Sequence, residues 1–212
     1  MATRDFLTAT EVDPNGRIER TTARSTFTNL TNEEDAYLYW DDGVNHYNGD
    51  FEHLIDVCMT AYSLDWGFPA IWGLANLIDD YQGIVTANGD ELSVHLQRRT
   101  DANAITLEER IAGTAYYALY NISLNTIYYL KIKRDETVGT FGTLYCYIYS
   151  DAARTNLLST LSLALHEKED FRYMYVTQSY NEGTSSSLSG YCENLDLQEP
   201  PPVGRSFGYI IG

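Results

Sequence analysis

Cations are scarce in this 212-residue chain: 14 lysines and arginines stand against 30 aspartates and glutamates, a formal net charge of −16. A surface of that sign repels a phosphate backbone, which excludes nucleic acid as a partner. Long apolar runs are missing as well. No stretch approaches the roughly 20 residues that span a bilayer, so no membrane partner is expected. The N-terminal MATRDFLTATEVDPNG lacks the apolar centre of a secretory signal, and synthesis in a cytoplasm without a signal peptide is the expectation. The cysteines, Cys58, Cys146 and Cys192, are too few and too scattered for a disulfide framework or a CxxC metal site. Each sits in a strand-like run and reads as a reduced, buried, small hydrophobe. His46, His53, His95 and His166 lie far apart, in no ligand motif, and the G-x-S-x-G, P-loop and dinucleotide fingerprints are absent.

What the chain has is alternation. In TLYCYIYSD (143–151), Leu144, Cys146 and Ile148 share one face, and Tyr145, Tyr147 and Tyr149 the other. A period of two is the mark of a strand. TIYYLKIKRD (126–135) places Tyr128, Leu130 and Ile132 opposite Tyr129, Lys131 and Lys133. DELSVHLQRR (90–99) turns Leu92, Val94 and Leu96 inward and Ser93, His95 and Gln97 outward, behind an Asn-Gly turn. DFEHLIDVCM (50–59) sets His53 among Phe51, Ile55, Val57 and Met59, as a satisfied core or edge residue. AIWGLANLI (70–78) is apolar on both faces, as in a strand covered twice. Short strands with turns between them predict an all-β fold, a sandwich or barrel.

The composition breaks once. EPPPVGRSFGYIIG (199–212) opens with three prolines, which cannot join a central ladder. The expected organisation is a sandwich over 1–198 and a proline-led tail over 199–212. The tail ends in Phe207, Tyr209, Ile210 and Ile211, which either fold back on the domain or dock into a neighbour.

Several segments together resemble the concanavalin A-like, laminin G-like jelly-roll superfamily, in the versions found in bacteriophage and metagenomic genomes. They are TEVDPNGRI (10–18), NGDFEHLIDV (48–57), the run from YYLKIKRD to LLSTLSL (128–163), FRYMYVTQSYNEG (171–183) and SGYCENLDLQ (189–198). The resemblance implies an antiparallel two-sheet β-sandwich. Its phage members imply a non-enzymatic virion component, of capsid-decoration, head-fibre or tail-fibre type. Such a protein sits on the virion surface with other virion proteins or its own copies as partners. The alternative is a carbohydrate-binding module that recognises glycans.

The superfamily also contains glycoside hydrolases, whose retaining members carry Glu-x-Asp-x-x-Glu on one strand face. That pattern is absent here. Glu52 and Asp56 share a face but lie roughly 13 Å apart at about 3.3 Å per residue, too far for carboxyl groups that must stand about 5–5.5 Å apart. DEL (90–92) and LEER (107–110) do no better and read as a solvated polar face. No catalytic residue and no cofactor is assigned, and the expectation is a protein that is not an enzyme. Asp41, Asp42 and Asp50 in WDDGVNHYNGD, with Asp79 and Asp80 in IDDYQG, are candidate calcium ligands or turn-capping acids. Tyr129, Tyr145, Tyr147 and Tyr149 form, in order of preference, an exposed ladder beside the lysines, a protein interface, or a glycan surface.

Overall fold

Short alternating strands with one apolar face each must pair edge to edge and then bury those faces against a second sheet. The computed structural model, which describes residues 3–183 and 185–198, has this arrangement. The proposed docking residues Phe207, Tyr209, Ile210 and Ile211, with the rest of 199–212, lie outside the described residues.

The strands are Thr10–Val12 (β1), Ile18–Arg20 (β2), Arg24–Thr31 (β3), Tyr37–Asp41 (β4), Phe51–Tyr62 (β5), Ala70–Ala75 (β6) and Glu91–Arg98 (β7). They continue with Asn103–Ile111 (β8), Thr114–Ile122 (β9), Tyr128–Asp135 (β10), Thr143–Tyr149 (β11), Leu157–Ala164 (β12), Tyr173–Gln178 (β13) and Ser187–Asp196 (β14). A short helix, Tyr81–Thr86 (α1), follows β6. The front sheet has the order β1-β4-β13-β6-β7-β8-β9 and the back sheet β12-β11-β10-β5-β14-β3-β2. Every pairing is antiparallel. This is the expected jelly-roll sandwich.

The inward positions read from alternation, Leu92, Val94, Leu130, Ile132, Leu144, Cys146 and Ile148, all lie in one core cluster shared by both sheets. The three cysteines are free and buried. His53 joins the layers: Trp72 Nε1 on β6 donates to its Nδ1 on β5 at 3.1 Å. Burial, then the nearby Arg4 and His46, push its pKa down to about 3, so the ring is neutral and can accept that proton.

Two features were not expected from sequence. Four strands lie within the first 41 residues, two of them only three residues long. The helix α1 is the second, six residues with no period to mark them. Asp80 starts it as an N-cap, its carboxylate accepting from Gly83 N at 2.7 Å.

In the middle of β14 the backbone of β5 passes so close that a Cβ on Gly190 would stand 2.4 Å from the Cys58 carbonyl oxygen. The Cys58 backbone cannot yield cheaply, and Phe27 Cζ would stand 3.0 Å away. Gly190→Ala is expected to lose about 1–3 kcal/mol, read as a fall in melting temperature with unchanged far-ultraviolet circular dichroism at 20–25 °C, roughly room temperature.

Candidate functional site

On the outer face of the front sheet, alternation brings together side chains that are anything but a solvated surface. Ser93 on β7 pairs with Glu108 on β8, His95 with Thr106, and Glu91 with Arg110. Glu91, Ser93, His95, Gln97, Thr106 and Glu108 are all buried. The reading of DEL and LEER as water-facing is therefore corrected: a second layer, made of α1, the segment before β6 and the segment after β13, lies over them.

Tyr81, the first residue of α1, carries that layer. Its hydroxyl donates to Glu108 and accepts from Arg110 Nε at 2.7 Å. Arg110 Nη2 also meets Glu108 Oε1 at 3.1 Å. Tyr180 stacks on Tyr81 with centroids 5.0 Å apart, and Phe68 stacks on His95 at 4.2 Å. The His95 ring is held by Ser93 Oγ at 2.8 Å from its Nε2. Burial takes His95 down to about 3. Burial raises the Glu108 carboxyl, against the opposing hydrogen bond of Tyr81 and the charge of Arg110. It also raises the phenol of Tyr81, reinforced by Glu108 and Glu91, and that of Tyr180.

Beside this network opens a cleft of about 650 Å³. Gln97, Thr106, Glu108 and Arg110 line it from the sheet. Trp66, Phe68, Tyr117 and Tyr180 are its aromatic walls, with Asn32 and Arg99 at hand. Trp66 is 54% and Tyr117 59% exposed. Arg99 stands apart electrostatically. Every other described arginine or lysine has a carboxylate within ion-pair distance. Arg99 has none among the described residues, in a chain with a large excess of acids.

The sites expected from sequence lie elsewhere. Asp41 is paired with Arg172 at 2.6 Å and Asp42 with Arg4 at 2.8 Å, while Asp50 accepts from Glu136 N at 2.7 Å. Of the five acids only Asp79 and Asp80 come together, joined by Asp35, with ligand atoms within 4.8 Å of one another. The ladder is built as expected on the back sheet, Tyr129 opposite Tyr149, Lys131 opposite Tyr147 and Lys133 opposite Tyr145. Tyr145 and Tyr147 stack at 5.8 Å, and Lys131 Nζ lies 5.1 Å from the Tyr147 ring centroid. Glu52 and Asp56 are held apart by different partners, Lys131 at 3.4 Å and Arg154 at 2.6 Å. Sequence reasoning missed Trp66, Tyr81, Arg99, Glu108, Arg110, Tyr117 and Tyr180. The available signal was the polar set Glu91, Ser93, His95 and Gln97 recurring at every second position of one strand.

Comparison by sequence finds no matching family model and no matching curated protein. Comparison by structure finds similar sandwiches. Alginate lyase Aly36B, in a complex with alginate trisaccharide, superposes with a TM-score of 0.55 at 16% identity, covering 95% of each chain. The endo-β-1,4-glucuronan lyase of the fungus Trichoderma reesei gives 0.51 at 7% identity, covering 92% of this chain and 88% of its own. A functionally unknown protein of Saccharomyces cerevisiae gives 0.53 at 11%, covering 93% and 99%. Identities this low speak for the fold. They nevertheless overturn two expectations, the non-enzymatic protein and the virion component, because the same sandwich carries polysaccharide lyases. The carbohydrate alternative is the one they favour.

Glu91 yields a test of the buried layer. It is fully buried, and neither carboxylate oxygen has a hydrogen-bond partner among the described residues. Burial, then Glu108, raise its pKa well above the ordinary 4.5. The folded state therefore holds a proton that the unfolded state releases near 4.5, and stability falls as pH rises above that value. Glutamine does not titrate. Glu91→Gln should match the wild type at about pH 4.5 and melt progressively higher than it toward pH 8, by roughly 2–4 °C for each kcal/mol recovered. Melting curves at several pH values check this; a constant offset would show that Glu91 does not titrate as described.

Proposed function

We propose that the cleft binds an acidic polysaccharide and that the protein is carbohydrate-active toward it, cleaving by elimination. The observation that carries this reading is Arg99: an unpaired guanidinium beside an aromatic-walled cleft, in a protein whose other described cations are all matched to acids. Saccharide rings present flat C–H faces that suit Trp66, Phe68, Tyr117 and Tyr180, and hydroxyls that suit Asn32, Gln97 and Thr106. A cation suits the carboxylate that a uronic acid adds. The sandwich shared with an alginate lyase and a glucuronan lyase supports the same class.

Elimination removes the proton on the carbon next to a uronate carboxyl and breaks the C–O bond one carbon further on. It needs a cation on the carboxylate, a proton acceptor and a donor to the leaving oxygen. Arg99 and Arg110 are the cations. Glu108 is suited to accept, since it already receives the Tyr81 hydrogen bond and burial makes its carboxylate more basic than a free glutamate. Tyr81 is the paired donor: its phenol is costly to ionise and so keeps its proton for the leaving oxygen, while Arg110, donating to the same oxygen, favours the charge that remains. A second reading, saccharide binding without turnover, draws support from the near-complete burial of Tyr81 and Glu108.

Incubation with alginate and glucuronan, beside a neutral β-glucan, decides between them. The expected result is binding of the acidic chains only, with growth of the ultraviolet absorbance of a double bond conjugated to a carboxylate. Arg99→Ala should weaken binding about 10-fold or more, as loss of a charged hydrogen bond does. Glu108→Gln should bind and not turn over. Binding with no new absorbance selects the second reading; equal affinity for the neutral chain removes the case for an acidic substrate.

A further inference from the structure

We infer that Trp66 is a strained stacking platform that positions one ring of the saccharide at the mouth of the cleft. This rests on the saccharide reading of the cleft. Trp66 has φ +72°. A bulky residue at positive φ is a conformational outlier, because Cβ crowds the carbonyl oxygen. Six of the described non-glycine residues with positive φ are asparagines, which tolerate that region. Trp66 is the one aromatic among them.

The turn has a glycine at the next position, Gly67, which does not take the strained φ. A Cβ on Gly67 would stand 3.3 Å from Leu188 Cδ1, a tight contact with the end of a side chain. The strain on Trp66 is instead enforced by neighbours on both sides. Trp66 N donates to the Arg98 carbonyl at 2.7 Å, and its own carbonyl accepts from Asn32 Nδ2 at 2.5 Å. Arg98 N returns a bond to the Gly67 carbonyl at 2.8 Å, and its guanidinium holds Asp65 at 3.0 Å. A backbone over-determined in this way aims its side chain, and such strain collects at ligand clamps.

The side chain it aims is open at the mouth of the cleft. The indole makes no ring contact and no hydrogen bond with a described residue, and the residue is 54% exposed. It lines the same cleft as Arg99 and Tyr117. A flat apolar face beside an unpaired cation matches a pyranose ring bearing an anionic group, a carboxylate or a sulfate ester.

The test sets stability against binding. Trp66→Gly and Trp66→Asn relieve the strained φ; Trp66→Phe keeps a flat face. Melting temperature and affinity for an alginate oligosaccharide and for a sulfated oligosaccharide are measured for each. The glycine and asparagine variants are expected to melt at or above the wild-type temperature and to bind at least about 10-fold more weakly, a loss of 1.4 kcal/mol. The phenylalanine variant should retain most of the affinity. The oligosaccharide whose binding is lost identifies the anion. A fall of more than about 4 °C in Trp66→Gly, equivalent to at least 1 kcal/mol, would make the indole a packing residue and overturn the platform. Unchanged affinity in Trp66→Gly, with affinity lost in Arg99→Ala, would overturn the platform while keeping the cleft. A wild-type protein that binds neither oligosaccharide overturns both.

Discussion

A single phenol oxygen organises the front of this molecule. Tyr81 Oη donates to Glu108 and accepts from Arg110, and so fastens α1 to the outer face of the front sheet. A six-residue helix has no stability of its own, since nucleation outweighs the few bonds it forms. Its presence therefore depends on this anchor and on the Asp80 cap. Everything beneath follows from it. With α1, Phe68 and Tyr180 in place, His95 is neutral, Glu91 retains its proton, and a polar face that would otherwise be wet becomes one wall of a cleft.

The back of the molecule shows the same kind of surface without a roof. Tyr129, Tyr145, Tyr147 and Tyr149 pack beside Lys131 and Lys133 with their rings half-exposed. Tyr145 and Tyr147 stack on each other and the Lys131 ammonium lies over Tyr147, so part of this apolar area is met locally. The aromatic residues of the front cleft are satisfied less evenly: Phe68 and Tyr180 are stacked on neighbours, whereas Trp66 and Tyr117 are open. That difference in open apolar surface is what favours the front sheet in the proposed function.

The core was legible in the sequence because β7, β10 and β11 alternate for six or seven residues, until Arg98 and Arg134 take inward positions in the first two, long enough for a period of two to stand out. β1 and β2 were not, since three residues carry no period. The site escaped for a different reason. Alternation divides a strand into two faces but says nothing of what covers the polar one. Ser93, His95 and Gln97 would show the same pattern under water or under α1. The covering residues Phe68 and Tyr180 stand in loops, and Tyr81 opens a helix of only six residues, where no periodicity marks them.

The near-complete matching of cations to acids has a consequence for ionic strength. With almost every described positive charge neutralised internally, the field at a distance is that of the excess carboxylates, and an anionic chain approaching from solution is repelled over roughly a Debye length, about 8 Å at physiological ionic strength. The attraction of Arg99 acts only at contact, inside that distance. Added salt screens the repulsion more than the contact. An acidic saccharide bound as proposed should therefore associate faster, not slower, as salt rises, with an affinity that changes little from dilute buffer to brine.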